Sequence, residues 1–221
     1  NMKTYGNAVA EWYEQMESLE NWMIGKTVQE VLDMPTYAKD DAHPEVPEVE
    51  DLKSSVTITV EKYKEVVKMA AENAVEVEDV VKVGTRSNTT AKQEEVEMNT
   101  YISTVALNAN NEVVFVAIDV MQSSAELSGG VVSPNGVVLT KKQLGSDYGM
   151  TNNPAAIAEW DVQIKDLESW MVGKTVTDIL AMELTDDSRP SVEDLQSKVT
   201  VTVDGYLAVV EKAAAAAEVV K

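Results

Sequence analysis

Few side chains in this sequence have the chemistry that catalysis or metal binding requires. The chain has no cysteine, which excludes disulfides, thiolate metal sites, iron–sulfur clusters and cysteine nucleophiles. Its one histidine, His43, lies in an acidic, proline-containing stretch at residues 39–47, and we expect it to be exposed rather than catalytic. The pattern that remains is an Asp-x-x-Ser-x-x-Thr segment, which occurs at residues 51–57 and again at residues 194–200.

The charge of the chain disfavours two classes of partner. Its formal net charge is −20, from 38 acidic and 18 basic residues. Such a surface repels phosphate backbones and anionic lipid headgroups, so we expect no nucleic-acid binding and no polybasic membrane contact. No apolar run reaches the roughly 18–20 residues that a membrane span needs. We therefore expect membrane association only through an N-terminal anchor outside this sequence.

Two blocks of the sequence are repeated in the same order. Residues 2–34 align without gaps to residues 150–182, and about half of the aligned residues are identical. Residues 47–71 align to residues 190–214 with more than half identical. Two separate blocks that match in order and in their tryptophans are typical of duplication. We therefore predict that the chain contains two copies of one repeat.

The two copies are predicted to differ in completeness. The strand-rich segment at about residues 75–148 has no counterpart elsewhere in the chain. This predicts a complete second repeat at residues 75–221 and a first repeat at residues 1–74 that contains only its C-terminal half. The helices of the first repeat would then expose an apolar face. Either missing strands come from another chain or a cleaved fragment, or the two copies share one sheet.

Apolar periodicity predicts the helices of the complete repeat. Apolar residues at a spacing of three to four predict an amphipathic helix from Ile157 to Met171, which Gly173 ends. A Thr-x-x-Asp capping box predicts a short second helix from Thr175. The first repeat has an equivalent Thr-x-x-Glu capping box at Thr27. A final helix is predicted to bury a stripe of four side chains, namely Tyr206, Val209, Val210 and Ala213. The four tryptophans lie at helical spacing and are predicted to be core residues.

Alternation of apolar and polar residues predicts the strands. Residues 101–106 and 113–120 flank an asparagine-rich turn and predict a hairpin, and residues 80–83 predict an earlier strand. Val199–Val203 and Val56–Val60 alternate strictly, which is typical of half-buried strands. The fold class that follows is α+β, with an antiparallel sheet backed by the two longer helices.

The repeated acid–hydroxyl segments resemble a motif of a known family. FMN-binding domains of electron-transfer flavoproteins have a late Asp-x-x-Ser-Gly-Ala-Thr motif followed by a strand and a helix. Asp51-Leu-Lys-Ser54-Ser55-Val56-Thr57 and Asp194-Leu-Gln-Ser197-Lys198-Val199-Thr200 are similar to it. The family also has an aromatic residue before a Gly-Lys pair, which Trp22–Lys26 and Trp170–Lys174 resemble. The resemblance covers most of the second repeat.

This resemblance implies a fold, a cofactor and a set of site residues. It implies an FMN-binding-domain-like fold, an FMN phosphate esterified to the final threonine of the motif, and a place on the cell surface or outside the cell, as in tandem lipoproteins of Gram-positive bacteria. The site residues that it carries over are Asp51, Ser54 and Thr57 in the first repeat and Asp194, Ser197 and Thr200 in the second. A membrane redox partner would supply the electrons.

Both segments depart from the family motif beside the threonine. Ser55 and Lys198 replace its glycine, and Val56 and Val199 replace its alanine. A β-branched valine crowds the hydroxyl, and neither serine nor lysine has the backbone freedom of glycine. Two functions therefore remain open. One is flavin-mediated electron transfer, in which the cofactor does the chemistry; the other is a cofactor-free surface module for structure or binding, with the threonines as ordinary strand residues.

Overall fold

The chain folds into two compact units, residues 1–76 and 77–221. The computed structural model describes residues 2–6, 8–92, 96–128, 131–134 and 139–220. No helix in these ranges is long and apolar enough to cross a membrane.

Unit 1 (residues 1–76) is mostly helical. Its helices are α1 (Met2–Gly6), α2 (Trp12–Met23), α3 (Val28–Leu32) and α4 (Glu61–Glu72), and a small antiparallel ladder joins β1 (Thr36–Tyr37) to β2 (Val46–Pro47). Gly25 follows α2 with a φ of 80°, a conformation that favours glycine, and so ends that helix. The core is small; one cluster of buried side chains among its described residues consists of Leu19, Met34, Leu52, Val56, Ile58 and Val60.

Unit 2 (residues 77–221) contains a five-stranded antiparallel sheet. Its strands are β3 (Lys82–Lys92), β4 (Glu97–Leu107), β5 (Val113–Ser128), β6 (Val131–Pro134) and β7 (Glu218–Val219), in the spatial order β6-β5-β4-β3-β7. The predicted hairpin is present as β4 and β5. Asn111 in its turn has a φ of 60°, which asparagine tolerates better than most residues.

Helices cover one face of this sheet. They are α5 (Lys141–Leu144), α6 (Trp160–Met171), α7 (Val176–Leu180) and α8 (Asp204–Ala215), with 3₁₀ turns at Gly145–Tyr148 and Met150–Asn152. α8 packs on β3 and β4, and α6 packs on β5. The contact with α8 is close enough that a Cβ on Gly84 would lie 2.0 Å from the Ala213 carbonyl oxygen. The predicted class, α+β with an antiparallel sheet backed by helices, is confirmed.

Two predicted strands are wrong. Val56–Val60 and Val199–Val203 are irregular segments that lead into α4 and α8 and have no neighbouring strand. Their backbone donors are bound in other ways: Val60 N–H donates to the Glu45 carbonyl and Val203 N–H donates to the Ser188 carbonyl, both at 2.9 Å. The alternation instead reflects alternating burial without a paired strand: Val56, Ile58 and Val60 are buried in the first segment, and Val199 and Val203 are buried in the second.

Two further boundaries differ from the sequence prediction. The helix predicted from Ile157 begins only at Trp160, and Ile157 is 49% exposed. β3 continues to Lys92, well beyond the predicted residues 80–83, because its polar residues pair with β4 as regularly as its apolar ones. The predicted stripe on the final helix is confirmed, since Tyr206, Val209, Val210 and Ala213 are buried.

Candidate functional site

The threonine of the second acid–hydroxyl segment is bound by a buried glutamine. Thr200 donates both its backbone N–H (2.8 Å) and its hydroxyl (3.2 Å) to Oε1 of Gln163 on α6. Gln163 is fully buried, and its Nε2 donates to the Ala158 carbonyl at 2.9 Å. A buried amide needs its hydrogen bonds satisfied. Gln163 therefore connects the segment before α8 to the start of α6.

The first segment has the same arrangement. Thr57 donates its backbone N–H (2.8 Å) and its hydroxyl (3.4 Å) to Oε1 of Gln15 on α2. Gln15 is fully buried, and its Nε2 donates to the Ala10 carbonyl at 2.9 Å. The sequence analysis missed both glutamines. The available signal was a polar residue at the same position of both repeats within an otherwise apolar helical stripe.

The predicted site residues do not converge on the threonine hydroxyls. Asp51, Ser54, Asp194 and Ser197 are all exposed, while each threonine is half-buried and hydrogen-bonded to its glutamine. The valines beside the threonines, Val56 and Val199, are almost completely buried, as are Leu52 and Leu195. The hydroxyls therefore lie at the edge of a packed apolar layer.

Two cavities of unit 2 lie elsewhere. One, of about 340 Å³, is lined by residues 79–81 and 108–110. The other, of about 390 Å³, lies between the start of α7 and the end of α8, with Thr175, Leu180 and Ala214 in its wall. None of the six predicted site residues lines either cavity.

Aromatic side chains form a second cluster in unit 2. Trp160 Nε1 donates to the Tyr206 hydroxyl at 2.8 Å, and the two rings meet edge to face with centroids 6.0 Å apart. Tyr101 of β4 lies 5.7 Å from Tyr206. Burial raises the pKa of Tyr206 to about 12. The Lys141 ammonium lies 4.6 Å from the Tyr148 ring and 5.4 Å from the Trp160 ring.

A partly buried ion pair links α5 to α6. Lys142 Nζ lies 2.5 Å from Glu168 Oε1, which also accepts the Ile118 N–H of β5 at 2.6 Å. Burial raises the pKa of Glu168, and the hydrogen bond and charge of Lys142 act against that rise. The cluster positions α5 against the edge of β5.

The histidine and the acidic residues do not form a metal site in the described part of the chain. His43 has a side chain that is 39% exposed and lies 2.7 Å from Asp40, whose pKa its hydrogen bond lowers. Within the described ranges, no three His, Asp or Glu side chains are grouped so as to hold a metal ion. His43 is partly exposed.

The four tryptophans were predicted to be core residues, but their burial differs between the two units. Trp160 is 1% exposed, whereas Trp12 at the aligned position of α2 is 50% exposed. The prediction is therefore wrong for Trp12. The reason is that the sheet covers α6, while no described strand of unit 1 covers α2 in the same way. Trp22 and Trp170 are half-buried beneath Lys26 and Lys174, whose ammonium groups lie 4.5 Å and 4.3 Å from the rings.

Comparison with known proteins finds no relative: no protein-family model, curated protein or solved structure matches the chain.

Proposed function

We propose that units 1 and 2 contain two copies of one repeat. The support is a set of equivalent contacts at aligned positions. Gln15 and Gln163 bind Thr57 and Thr200 with N–H distances of 2.8 Å in both units. Glu11 and Glu159 accept the backbone N–H groups of Met2 and Met150, both at 2.9 Å. Trp12 and Trp160 donate to Tyr63 and Tyr206 at 3.0 and 2.8 Å. Such long-range pairs arise together most simply by duplication.

We infer that this repeat is a cofactor-free module with a structural or binding role at the cell surface. The main support for the proposal is that Gln163 Oε1 accepts hydrogen bonds from both the backbone N–H and the hydroxyl of Thr200. The hydroxyl therefore has a structural role. The packed valine beside it adds support. The acidic surface suits a module that stays soluble among other repeats.

Substitution of the glutamine tests this role. Gln163→Leu keeps the volume and removes the acceptor, so the half-buried N–H of Thr200 loses its partner. We expect a loss of about 1–3 kcal/mol in the unfolding free energy of unit 2. Thr200→Val removes only the weaker hydroxyl bond and should cost about 1 kcal/mol or less. If Gln163→Leu is as stable as the wild type, the glutamine is not the structural link proposed here.

Covalent FMN binding is a second candidate, favoured by one observation. Thr57 and Thr200 are half-buried rather than fully enclosed, and Ser54 and Ser197 are exposed in the same segments. The proposal would be a cell-surface electron carrier with a membrane redox partner. The residues fit the cofactor poorly, because the hydroxyls are bound to glutamines and Val56 and Val199 fill the adjoining space.

A mass measurement separates the two candidates. Protein purified from the source cells, which contain any flavin transferase, is digested and its peptides are weighed. The structural module predicts unmodified peptides around Thr57 and Thr200 and no absorption of blue light. A peptide that carries the added mass of FMN, and loses it in Thr57→Val or Thr200→Val, would establish the flavin carrier instead.

A further inference from the structure

Unit 1 has an apolar face that the described part of the unit covers only in part. We call it the uncovered face, and it consists of residues of α2 and α4: Trp12, Val66 and Ala70 are exposed, and Met16, Met23, Tyr63 and Val67 are half-buried. Met16, Met23 and Tyr63 also contact the small core of the unit. Trp12 is 50% exposed and Val66 is 61% exposed. α4 buries none of its residues, although it has an amphipathic sequence. A contiguous exposed apolar surface of this kind marks an interaction site.

Unit 2 shows what covers this face. The aligned residues of α6 and α8 are Trp160, Ile164, Met171, Tyr206, Val209, Val210 and Ala213, and all are buried, none more than 6% exposed. They pack against the inward face of the sheet, whose apolar residues include Val105, Val116 and Ile118. Within unit 2, the helices and the sheet therefore bury each other's apolar surfaces.

We propose that the uncovered face binds the apolar face of an antiparallel β-sheet of the same repeat, supplied by a segment that is equivalent to residues 77–149 but has a smaller residue at the position of Tyr101. The inference rests on the two-repeat proposal and is independent of flavin. The chemistry of the partner is a sheet with β-branched side chains directed toward α2 and α4. Burial of such apolar area is the main source of affinity between helices and sheets.

One position limits which sheet can bind. Gly205 of α8 lies so close to β4 that a Cβ there would be 2.8 Å from the Tyr101 ring. The aligned residue in α4 is Lys62, which is exposed. The partner sheet must therefore have a residue smaller than tyrosine at the position of Tyr101, or α4 must lose its lysine side chain.

The test adds the missing sheet to the full chain. A second copy of residues 77–149 is placed directly before Met2, so that its last residue replaces Asn1, and Lys62→Gly removes the clash. We expect amide hydrogen exchange in α2 and α4 to become about tenfold slower or more. Acrylamide quenching of Trp12, taken as the difference from a Trp12→Phe version, should fall to the level of a buried indole.

Val66→Asp is the matched control. In the unextended chain this residue is 61% exposed, so the aspartate should leave hydrogen exchange in unit 1 unchanged. In the extended chain it should abolish the added protection, because the carboxylate would face the sheet. This contrast distinguishes docking from a general effect of the longer chain.

Two outcomes would overturn the proposal. The first is unchanged exchange in α2 and α4 of the extended chain while α8 remains protected. The second is an unextended chain that light scattering shows to be a dimer with Trp12 already shielded, which would make a second copy of this chain the occupant. Matched Gln15→Leu and Gln163→Leu variants test the two-repeat proposal without any added sheet, because equivalent glutamines should each destabilise their own unit when they are replaced. Failure of the docking proposal is therefore distinguishable from failure of the two-repeat proposal.

Discussion

The two units place similar helical sequences in two environments. In unit 2, α6 and α8 pack against a five-stranded sheet and bury the apolar residues on their inward faces, including Trp160 and Val209. In unit 1, α2 and α4 keep their hydrogen bonds to each other and to the loops, yet Trp12 and Val66 are largely exposed. Local contacts are therefore sufficient to set the arrangement of these helices. The sheet adds burial, which is where most of the stabilising free energy arises.

The largest expected difference concerns the paired tryptophans. Trp160→Ala removes a buried indole and leaves the Tyr206 hydroxyl without its partner, which should lower the unfolding free energy of unit 2 by about 3–5 kcal/mol. Trp12→Ala should cost unit 1 about 1 kcal/mol or less, since that indole is already half in water. Hydrogen exchange read by mass spectrometry follows each unit separately. Equal losses would show that Trp12 is buried in solution.

The next difference concerns the first turns of α4 and α8. Gly205→Ala places a methyl group 2.8 Å from the Tyr101 ring, so strain should destabilise unit 2 by about 1–3 kcal/mol. Lys62→Ala at the aligned position should change unit 1 by about 0.5 kcal/mol or less, through loss of its ion pair with Glu65. Thermal unfolding measures both. A neutral Gly205→Ala would mean that α8 is free to move away from β4.

Glu168 should give unit 2 a pH dependence. Its pKa is raised above 4.5 by burial, so the folded state retains the proton to a higher pH than the unfolded chain does. The unfolding free energy of unit 2 therefore falls as the pH rises from 4.5 to that raised pKa. Glu168→Gln should flatten this part of the curve and still accept the Ile118 N–H. The control is Glu20→Gln at the exposed aligned position, and a carboxyl titration of Glu168 below 4.5 by NMR would contradict the prediction.

The smallest effect should be similar in both units. Lys26 lies over Trp22, and Lys174 over Trp170, at 4.5 and 4.3 Å. Lys26→Ala should cost about 0.5–1 kcal/mol, as for an exposed cation–π contact, and denaturant unfolding can measure it. Lys174→Ala should cost slightly more, because Nζ also donates to the Trp170 carbonyl at 2.7 Å. An effect in only one unit would break the equivalence.

Much of the helical structure follows from sequence for a physical reason. Apolar spacing defines the buried stripes of α6 and α8, and the Thr-x-x-Asp and Thr-x-x-Glu caps place the starts of α7 and α3. These are local interactions within a few residues of each other. Val56–Val60 and Val199–Val203 were mistaken for strands because alternating burial has the same pattern whether the neighbour is a strand or a helix. The long polar part of β3 was missed because its pairing depends on β4.

The candidate site was likewise only partly predictable from the sequence. The sequence by itself determined the order of the repeated blocks, the class of the fold and the positions of the threonines. Only the tertiary structure decided that Gln15 and Gln163 bind those threonines, because the partners are 42 and 37 residues apart. Only the tertiary structure also decided that Trp160 is buried and Trp12 is exposed. Their local sequences are alike, and burial depends on a sheet that is contributed from elsewhere in the chain.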